Sequence, residues 1–400
     1  MADKAPEVDN TTIADSNVVA KYKDAAIIAN AVLEKVIKLC VPGAKILDIC
    51  VQGDKEIVEA VKGIYNKGKM TKGIGFPTAI SLNNCIAHFS PLASDPEAEL
   101  TLKEGDIAKI QLGAQIDGYC SSVAHTLVVG ATAQKPATGV KADVIQAAHT
   151  ALEAVVRMIR PGNKNMEVTK VVDKIAEAYN TKAVEGMLTH QQLKNVTDGK
   201  KQIILNPSEN HLRDFQRIEF AENEVYAVDI LISSGEGKVR QLDSRTTIYK
   251  KTDVRYSLKM AASRHVLSEI QTKAGSFPFS LRDLEDERKA RMGIVECAKH
   301  QTVLPYDIMY EREGAVVAQF LTTLLVTKNG NIMVTDPHFN PALVKSEKAV
   351  KDEEILKLLQ TSFEVPAKKA KKNKKKATDV AAPAAAASAP AAAAPAAAKK

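Results

Sequence analysis

The alternation of apolar and polar residues is clearest in residues 104–128, where it predicts a β-hairpin. In residues 107–112 one of the two alternating sets is wholly apolar, which is the period of two that is typical of a half-buried strand. The dipeptide Asp117-Gly118 follows, and this pair favours the tight turn between two hairpin strands. Gln111 and Ser122 therefore lie near the middle of the two predicted strands.

Apolar residues at helical spacing predict two pairs of helices that share one arrangement. The predicted helices are Ala25–Cys40, Lys45–Tyr65, Val144–Arg160 and Glu167–Tyr179. A Pro-Gly turn that ends in lysine joins the members of each pair, at residues 41–45 and again at residues 160–164. A strand follows each pair and places Gln111 of the first half in the position of Asp229 of the second. We therefore expect two similar halves around a pseudo-twofold axis, with a ligand cleft between them.

The pattern changes after the second half, which indicates an insert and two terminal segments without a core. Residues 253–307 are interpreted as a small helical insert within one domain of residues 18–360. Its two predicted helices are Leu258–Lys273 and Leu281–Cys297. Residues 1–17 are polar, and residues 366–400 are rich in lysine, alanine and proline. Neither segment can bury a core, so both are predicted to be disordered.

Composition excludes some classes of protein and places the positive charge in one segment. Of the 400 residues, 45% are hydrophobic, which is enough for a globular core, but no apolar run reaches the roughly 18 residues of a membrane span. The five cysteines are scattered without metal-binding spacing, and the first residues contain no secretory signal. The net charge is +7, yet residues 366–400 alone carry nine lysines against one aspartate. The tail is therefore the segment expected to bind a polyanion.

Three groups of basic residues are candidates for contact with RNA. The tail run is interpreted as an RNA contact, a nuclear-import signal or both, and a solubilising role is the alternative. Its lysines are Lys368, Lys369, Lys371, Lys372, Lys374, Lys375 and Lys376. A second, weaker group lies in a loop and consists of Lys62, Lys67, Lys69 and Lys72. The alternative to a phosphate contact is that this is simply a solvated loop. The third group lies in the insert near Arg282 and consists of Arg288, Lys289 and Arg291. Acidic residues stand among these basic ones, so ordinary ion pairs on a helix surface would also explain the pattern.

Five motifs, taken in order, resemble those of type 2 methionine aminopeptidases. They are Gly75-Phe-Pro-Thr78, residues 81–88 with the sequence SLNNCIAH, Glu104-Gly-Asp106, residues 224–229 with the sequence EVYAVD, and Ala318-Gln-Phe320. The resemblance implies the α+β pita-bread fold of methionine aminopeptidases and creatinase, in which a pseudo-twofold antiparallel sheet is flanked by helix pairs. It also implies a cleft in which five ligands, mostly carboxylates, hold two metal ions that activate water.

The same resemblance indicates where this chain departs from a catalytic pattern. The positions of the family's metal ligands fall on Gln111, Ser122, Met187, Asp229 and Leu321. His190 is an alternative to Met187, because the register around the ligand histidine is open. One carboxylate and one imidazole cannot hold two divalent ions, so we expect no metal, no other cofactor and no catalysis. The family's substrate-side histidine is retained as His88, which is either a peptide contact or a packed relic.

The side chains that replace the ligands need partners of their own. We expect Gln111 and Ser122 to hydrogen-bond across the former metal site, and we expect Asp229 to need a donor if it is buried. A histidine outside the cleft, His125, lies on a predicted strand and is interpreted as a packed side chain and not as a ligand.

Six further stretches resemble the proliferation-associated and ErbB-receptor-binding proteins, which are non-catalytic relatives of the aminopeptidase. Among them are residues 84–95, residues 184–190 and the lysine-rich tail. The resemblance implies an RNA- and ribosome-binding adaptor in ribosome biogenesis, translation and growth regulation. Its partners would be ribosomal RNA and large-subunit ribosomal proteins, in the cytoplasm, the nucleus and the nucleolus. Two alternatives stay open: an active metal-dependent methionine aminopeptidase with altered ligands, and a peptide- or histone-binding chaperone module.

Overall fold

The fold is an antiparallel sheet with helices on one side, seen in a computed structural model that describes residues 11–68 and 70–363. The strands in this part of the chain are β1 (Lys72–Leu82), β2 (Cys85–Ala87), β3 (Ile107–Ile116), β4 (Tyr119–Val128), β5 (Lys182–Ala183), β6 (Leu188–Gln192), β7 (Gln202–Ile204), β8 (Glu224–Ser233), β9 (Ile248–Lys251), β10 (Pro278–Ser280), β11 (Val303–Tyr306), β12 (Met309–Tyr310), β13 (Val317–Thr327) and β14 (Gly330–Met333). The helices are α1 (Ser16–Leu39), α2 (Ile46–Lys62), α3 (Gly139–Met158), α4 (Asn165–Ala178), α5 (Glu209–Asp214), α6 (Ala261–Lys273), α7 (Glu287–Lys299) and α8 (Glu353–Gln360). None of the helices in the described part of the chain combines the length and the apolarity that a bilayer crossing needs.

The central sheet joins two halves through a strand that comes late in the chain. Its order is β1-β3-β4-β13-β8-β6-β7, with β14 added on β13 and β5 on β8. The predicted hairpin is confirmed as β3 and β4, and Asp117 and Gly118 take positive φ angles of 51° and 85°, as a tight hairpin turn requires. On its two sides, β13 pairs antiparallel with β4 and with β8. The two halves therefore meet at β13.

Two helix pairs cover one face of the sheet and form its core. Ala108, Ile110 and Leu112 of β3 share an apolar cluster with the buried faces of α1 and α2. In the same way, α3 and α4 pack behind β8 and β13, in a second cluster that includes Val228 and Phe320. Burying one large apolar side chain stabilises a fold by about 1.5–3 kcal/mol, so these two clusters hold the helix pairs on the sheet.

Equivalent hydrogen bonds confirm the internal repeat that the two Pro-Gly turns predict. The amide of Gly43 donates to Leu102 O (2.7 Å), and the amide of Gly162 donates to Phe220 O (3.1 Å). Both glycines have positive φ angles, 87° and 91°, which glycine adopts without steric cost. Each turn ties the start of a helix to the segment that precedes a central strand. The pseudo-twofold arrangement of the α+β pita-bread fold is thereby confirmed.

The chain is ordered before the predicted boundary of the amino-terminal segment. Asp15 caps α1 with its side chain, and Ile13 is 6% exposed because it packs against α1 and β4. The prediction of disorder over residues 1–17 is therefore wrong for residues 11–17, where one apolar side chain of a polar segment reaches the core. Residues 366–400, for which disorder is also predicted, lie outside the described residues.

The insert is a small α/β unit and not only a pair of helices. A three-stranded sheet of order β10-β9-β11 packs with α6 and α7 around one apolar cluster. The prediction of a helical insert over residues 253–307 is incomplete, because the unit begins at Ile248 and its strands are too short to show a clear period of two. The second predicted helix also begins too early, since residues 281–283 form a 3₁₀ turn and α7 starts at Glu287.

Arg282 lies in that 3₁₀ turn and fastens the insert to the body of the domain. Its Nε donates to Asp54 Oδ2 (3.1 Å), its Nη1 to Ser90 Oγ (2.6 Å) and its Nη2 to Thr78 O (3.0 Å). Asp54 also accepts from Thr78 N (2.7 Å), and the side chains of Arg282 and Asp54 are only 8% and 7% exposed. Arg282 is therefore a buried contact of a 3₁₀ turn and not a residue of the predicted helix Leu281–Cys297.

Candidate functional site

A cavity of about 250 Å³ opens on the face of the sheet that the helices leave uncovered. Because the apolar residues that flank Gln111 on β3 face the helices, Gln111 itself faces the cavity. All seven cleft residues singled out from the sequence line this cavity. They are His88, Gln111, Ser122, Met187, His190, Asp229 and Leu321. Since Met187 and His190 both belong to the set, the register of the ligand histidine stays open.

The pairing register across the sheet explains why four of these side chains meet. Gln111 of β3 lies opposite Ala124 of β4, and Ala124 lies opposite Leu321 of β13. Leu321 in turn lies opposite Asp229 of β8. Ser122 is two residues from Ala124 and therefore projects from the same face of the sheet. A shift of one residue in any of these pairings would turn a side chain of the site to the helix side.

Gln111 and Ser122 carry neutral side chains that do not bond to each other. Gln111 is 8% exposed, and its Oε1 has no hydrogen-bond partner among the described residues. Ser122 Oγ lies 3.4 Å from the Sγ of Cys120. The predicted hydrogen bond between Gln111 and Ser122 is therefore wrong, because the hydroxyl is directed to a neighbour on its own strand. The amide oxygen of Gln111 is left facing the cavity.

Asp229 receives its donor from Gln319, which the sequence pattern does not assign to the site. Nε2 of Gln319 donates to both carboxylate oxygens of Asp229, at 2.9 and 3.1 Å. Burial raises the pKa of Asp229 to about 7, and the hydrogen bonds from Gln319 oppose this effect only in part. The expectation that a buried Asp229 needs a donor is confirmed. Gln319 is the central residue of the motif Ala318-Gln-Phe320, so the motif contained the residue but did not indicate its partner.

The side chains of the cavity do not fit a two-metal centre. Leu321 offers no donor atom, and Ser122 and Gln111 offer a neutral hydroxyl and a neutral amide where two divalent ions need anionic ligands. The second carboxylate that lines the cavity, Asp198, forms an ion pair with Lys250. Within residues 11–68 and 70–363, no group of three or more His, Cys, Asp or Glu side chains is placed to hold a metal ion. No reaction step through such ions can be built on this set of residues.

Two histidines of the cavity are neutral, and the ring of one of them is packed between aromatic neighbours. His88 Nδ1 lies 3.0 Å from Asp307 O, and its ring packs near Phe76 and Tyr306. Its φ of +71° is unusual for a residue with a Cβ, and backbone strain of this kind is concentrated at functional sites. Burial lowers the pKa of His88 and of His190, so neither imidazole is charged near neutral pH. These rings can therefore accept or donate a hydrogen bond but do not contribute positive charge.

His125 is placed in the core, as its interpretation as a packed side chain expects. Its Nδ1 lies 2.7 Å from Pro337 O, and its ring meets the ring of Phe320 edge-on. Burial lowers the pKa of His125 to about 4, so this imidazole is neutral as well.

The basic loop on the body is exposed in part. Lys62 and Lys67 are exposed, but Lys72 turns its ammonium group to Asn66 Oδ1 (2.7 Å) and to the backbone of its own loop. Lys72 therefore closes the loop and is the least suited of these residues to contact a phosphate. Lys69 lies outside the described residues.

The basic residues of the insert are also placed unevenly. Arg288 and Lys289 are exposed on α7, although Lys289 lies 3.3 Å from a carboxylate oxygen of Asp286. Arg291 donates instead to Ser94 Oγ in the body of the domain. The candidates of the tail lie outside the described residues and are Lys368, Lys369, Lys371, Lys372, Lys374, Lys375 and Lys376.

The chain is similar in sequence and in structure to proteins of one known family. The model of metallopeptidase family M24 matches residues 20–246. A protein of Schizosaccharomyces pombe named "Curved DNA-binding protein" is 50% identical over 365 residues, which cover 91% of this chain and 95% of that protein. "ErbB-3 binding protein 1" of Arabidopsis thaliana is 45% identical over 348 residues, which cover 86% of each protein. The structure of a thermophilic Arx1 superposes with a TM-score of 0.83 at 36% identity, and the match covers 88% of this chain and 99% of that one.

Proposed function

The chain belongs to metallopeptidase family M24, among the proliferation-associated and ErbB-3-binding proteins, and on that premise we propose that it is a non-catalytic adaptor for RNA and ribosomes. The observation that carries the proposal is the set of side chains at the expected metal-ligand positions. Gln111, Ser122 and Leu321 line the cavity at those positions, and none of them is an anion. A cleft with these residues lacks the means to activate water with two metal ions, but it still offers a shaped surface to a partner.

Nucleic-acid binding is supported by charge and by one relative. Seven lysines between residues 368 and 376 form a dense cationic run. Lysines that neutralise phosphates release counterions, which gives affinity without sequence specificity. The Schizosaccharomyces pombe relative carries a name that records DNA binding for that protein. Because the run contains no aromatic residue, we expect it to bind the nucleic-acid backbone and not to stack on bases.

The proposed partners are ribosomal RNA and proteins of the large ribosomal subunit, in ribosome biogenesis, translation and growth regulation. This part of the proposal rests on the resemblance to the proliferation-associated and ErbB-receptor-binding proteins. Exposed Lys62 and Lys67 on the body, with Arg288 and Lys289 on the insert, would add contacts to RNA phosphates. The lysine run would also serve nuclear import, so the proposed locations are the cytoplasm, the nucleus and the nucleolus.

Sedimentation with ribosomes at rising salt tests the adaptor role. The full chain is mixed with purified ribosomes, pelleted through sucrose and quantified between about 50 and about 200 mM salt. We expect association that weakens with salt, and we expect a variant with the seven lysines of residues 368–376 changed to glutamine to lose most of that dependence. On single-stranded RNA, the slope of log affinity against log salt should fall by up to roughly five, about 0.7 for each lysine.

The matched control changes only the two terminal lysines, Lys399 and Lys400, to glutamine. It leaves the lysine run intact, so its association should stay near that of the unchanged chain. Full binding by the seven-lysine variant at every salt concentration would show that the tail is not the RNA contact. Absence of any association by the unchanged chain would contradict the adaptor role itself.

The enzymatic alternative is tested by metal analysis and by release of methionine from a short Met-Ala peptide. After incubation with cobalt, manganese or zinc salts, the non-catalytic proposal expects no turnover, with a methionine aminopeptidase assayed in parallel as the positive control. Turnover together with stoichiometric bound metal would show that the altered ligands still support catalysis.

A second function, the docking of a protein segment in the cavity, is favoured by the unpaired acceptor of Gln111. A peptide- or histone-binding module of this kind would need neither metal ions nor the lysine run. Peptide binding that survives deletion of residues 366–400 and is lost when the cavity is filled by mutation would assign binding to the cavity. Binding lost with the tail would assign it to the lysines.

A further inference from the structure

Two buried amide oxygens at the cavity lack a hydrogen-bond donor. Gln111 is 8% exposed and Gln192 is 4% exposed, and both residues line the cavity. Within the described part of the chain, neither Oε1 has a hydrogen-bond partner. Leaving a buried polar atom without a partner costs about 1–3 kcal/mol, so native proteins keep such atoms chiefly where water or a ligand supplies the missing group. Both glutamines require a donor from whatever occupies the cavity.

The charges around the cavity indicate that this donor is cationic. The lining includes the carboxylates of Asp198 and Asp229, and no lysine or arginine is found among the described residues that line it. The imidazoles of His88 and His190 are kept neutral by burial, as described above. An occupant with a positive charge would therefore meet these acceptors and the carboxyl group of Asp229, whose ionised form it would stabilise, whereas Asp198 is already paired with Lys250.

The walls of the cavity are apolar and partly aromatic. Phe76 and Tyr306 meet edge to face with ring centroids 5.7 Å apart, and Met187, Leu188 and Leu321 add aliphatic surface to the lining. Apolar walls accept a chain of methylene groups, and aromatic faces attract a nearby cation. The cavity thus combines an apolar surface for a stem with acceptors for its charged end.

We propose that the cavity binds a primary ammonium group on an apolar stem, presented by a docking protein as a lysine side chain or as its amino terminus. An ammonium group has three N–H donors and no acceptor, which suits a pocket in which Gln111 Oε1 and Gln192 Oε1 are unpaired. The hydroxyl of Thr197, which also lines the cavity without a partner among the described residues, can accept from the same group. The positive charge would occupy the place where metal ions are expected in catalytic relatives. This inference rests on the proposed docking function and names the chemistry of the group that the cleft holds.

Calorimetric titration of the full chain with three small probes tests the inference. Nα-acetyl-lysine methylamide offers only a side-chain ammonium, methionine amide offers only an α-ammonium, and Nα-acetyl-norleucine methylamide has the stem of the first probe without its charge. We expect at least one ammonium probe to bind at least tenfold more tightly than the norleucine probe. The stronger of the two ammonium probes identifies the source as a lysine side chain or an amino terminus.

Gln111→Leu and Gln192→Leu should each weaken binding of the preferred ammonium probe about tenfold, which corresponds to about 1.4 kcal/mol. Gln134→Leu, at an exposed position, is the matched control and should leave the affinity unchanged. Thermal unfolding checks that the cavity variants fold, and neither should unfold at a lower temperature than the unchanged chain, because each removes an unpaired buried oxygen.

Equal binding of the norleucine and ammonium probes would overturn the inference, as would unchanged affinity in both cavity variants. Failure of every probe to bind would show that the cavity holds water only. These failures would leave salt-dependent ribosome sedimentation untouched and so would overturn this inference alone. Loss of ribosome sedimentation with intact probe binding would overturn the adaptor proposal alone.

Discussion

Removing either partner of the Arg282–Asp54 ion pair should loosen the insert from the body of the domain. Changing Arg282 to methionine keeps an unbranched stem but removes the donors to Asp54, Ser90 and Thr78. Changing Asp54 to asparagine keeps an acceptor for Thr78 N but removes the negative charge that faces the guanidinium group. Each single change leaves the other charge buried without its partner.

The burial of the pair sets the size of the expected effect. Loss of one partner costs about 3–5 kcal/mol for a buried ion pair, against about 0–1 kcal/mol for the net contribution of an exposed pair. Side chains that are 8% and 7% exposed place Arg282 and Asp54 among the buried pairs. Arg282→Met should be the more damaging change, because burial and the nearby Asp54 carboxylate already raise the pKa of Asp283. Without the guanidinium group, these two acids would face each other.

Urea unfolding of the two single variants and of the double variant measures these losses. The double variant should lose at least about 1–2 kcal/mol less than the sum of the single losses, because it leaves neither charge of the pair unmatched. Arg288→Met is the matched control on an exposed position of the same insert, and should change the free energy of unfolding by no more than about 0.5 kcal/mol. Hydrogen exchange resolved to α6 and α7 would show that the insert opens before the body.

Two results would refute this reasoning. If Arg282→Met lowers the free energy of unfolding by less than about 1 kcal/mol, the Arg282–Asp54 pair contributes no more than an exposed ion pair does. Strict additivity in the double variant would show that the two side chains do not depend on each other.

The stability deficit of Arg282→Met should also shrink toward about pH 5. Acids whose pKa is raised in the folded state take up protons there first, so the variant is more stable at low pH and loses stability as the pH rises.

Three further changes have defined outcomes. Asp229→Asn should raise the free energy of unfolding by about 2 kcal/mol at about pH 8 and by less at about pH 5. The reason is that burial raises the pKa of Asp229 from 3.8 to about 7, so the stability of the unchanged chain falls as the pH rises through that window. Equal gains at both pH values in urea unfolding, or the same gain for Asp243→Asn at an exposed position, would contradict this. Leu321→Glu puts a second acid beside Asp229, at a position that is 3% exposed. In the same assay it should lower the free energy of unfolding by about 2–4 kcal/mol more than Leu321→Gln does. A difference under about 0.5 kcal/mol would show that the new carboxylate reaches water. Gly118→Ala should lower the unfolding temperature by an amount equivalent to about 1–2 kcal/mol. The φ angle of Gly118 is +85°, and the new Cβ would lie 2.5 Å from Asn195 Oδ1. An unchanged unfolding temperature would show that the turn can relax.

The cleft could be located from the sequence because the signals that define it are local. Alternation in β3 and β4, with the Asp117-Gly118 turn between them, decides which residues share a face, so Gln111 and Ser122 could be assigned to one site. The repeated Pro-Gly turns are equally local, and they placed Gln111 and Asp229 in matching positions of two halves. Short-range periodicity and the repeat therefore placed Gln111, Ser122 and Asp229. The other members of the site were identified only through the resemblance to the aminopeptidase motifs.

Partner choice across the fold could not be predicted in the same way. Arg282 stands among acidic neighbours in the sequence, yet its partner Asp54 is 228 residues away. Gln319 is the donor to Asp229 across two paired strands, and nothing in the spacing of the two residues indicates the contact. The strands of the insert are too short for periodicity to identify them, because packing against α6 and α7 stabilises them more than their own pattern does.

The position of β13 in the chain has a consequence for how the protein is made. Until residues 317–327 leave the ribosome, β4 and β8 each present a row of unpaired amides and carbonyls to the surroundings. The two helix-covered halves can each collapse during synthesis, but they cannot be joined before that segment emerges. The nascent molecule is therefore open to wrong pairing from the completion of β4 until β13 emerges, and a premature stop before β13 would yield two half-sheets with bare edges.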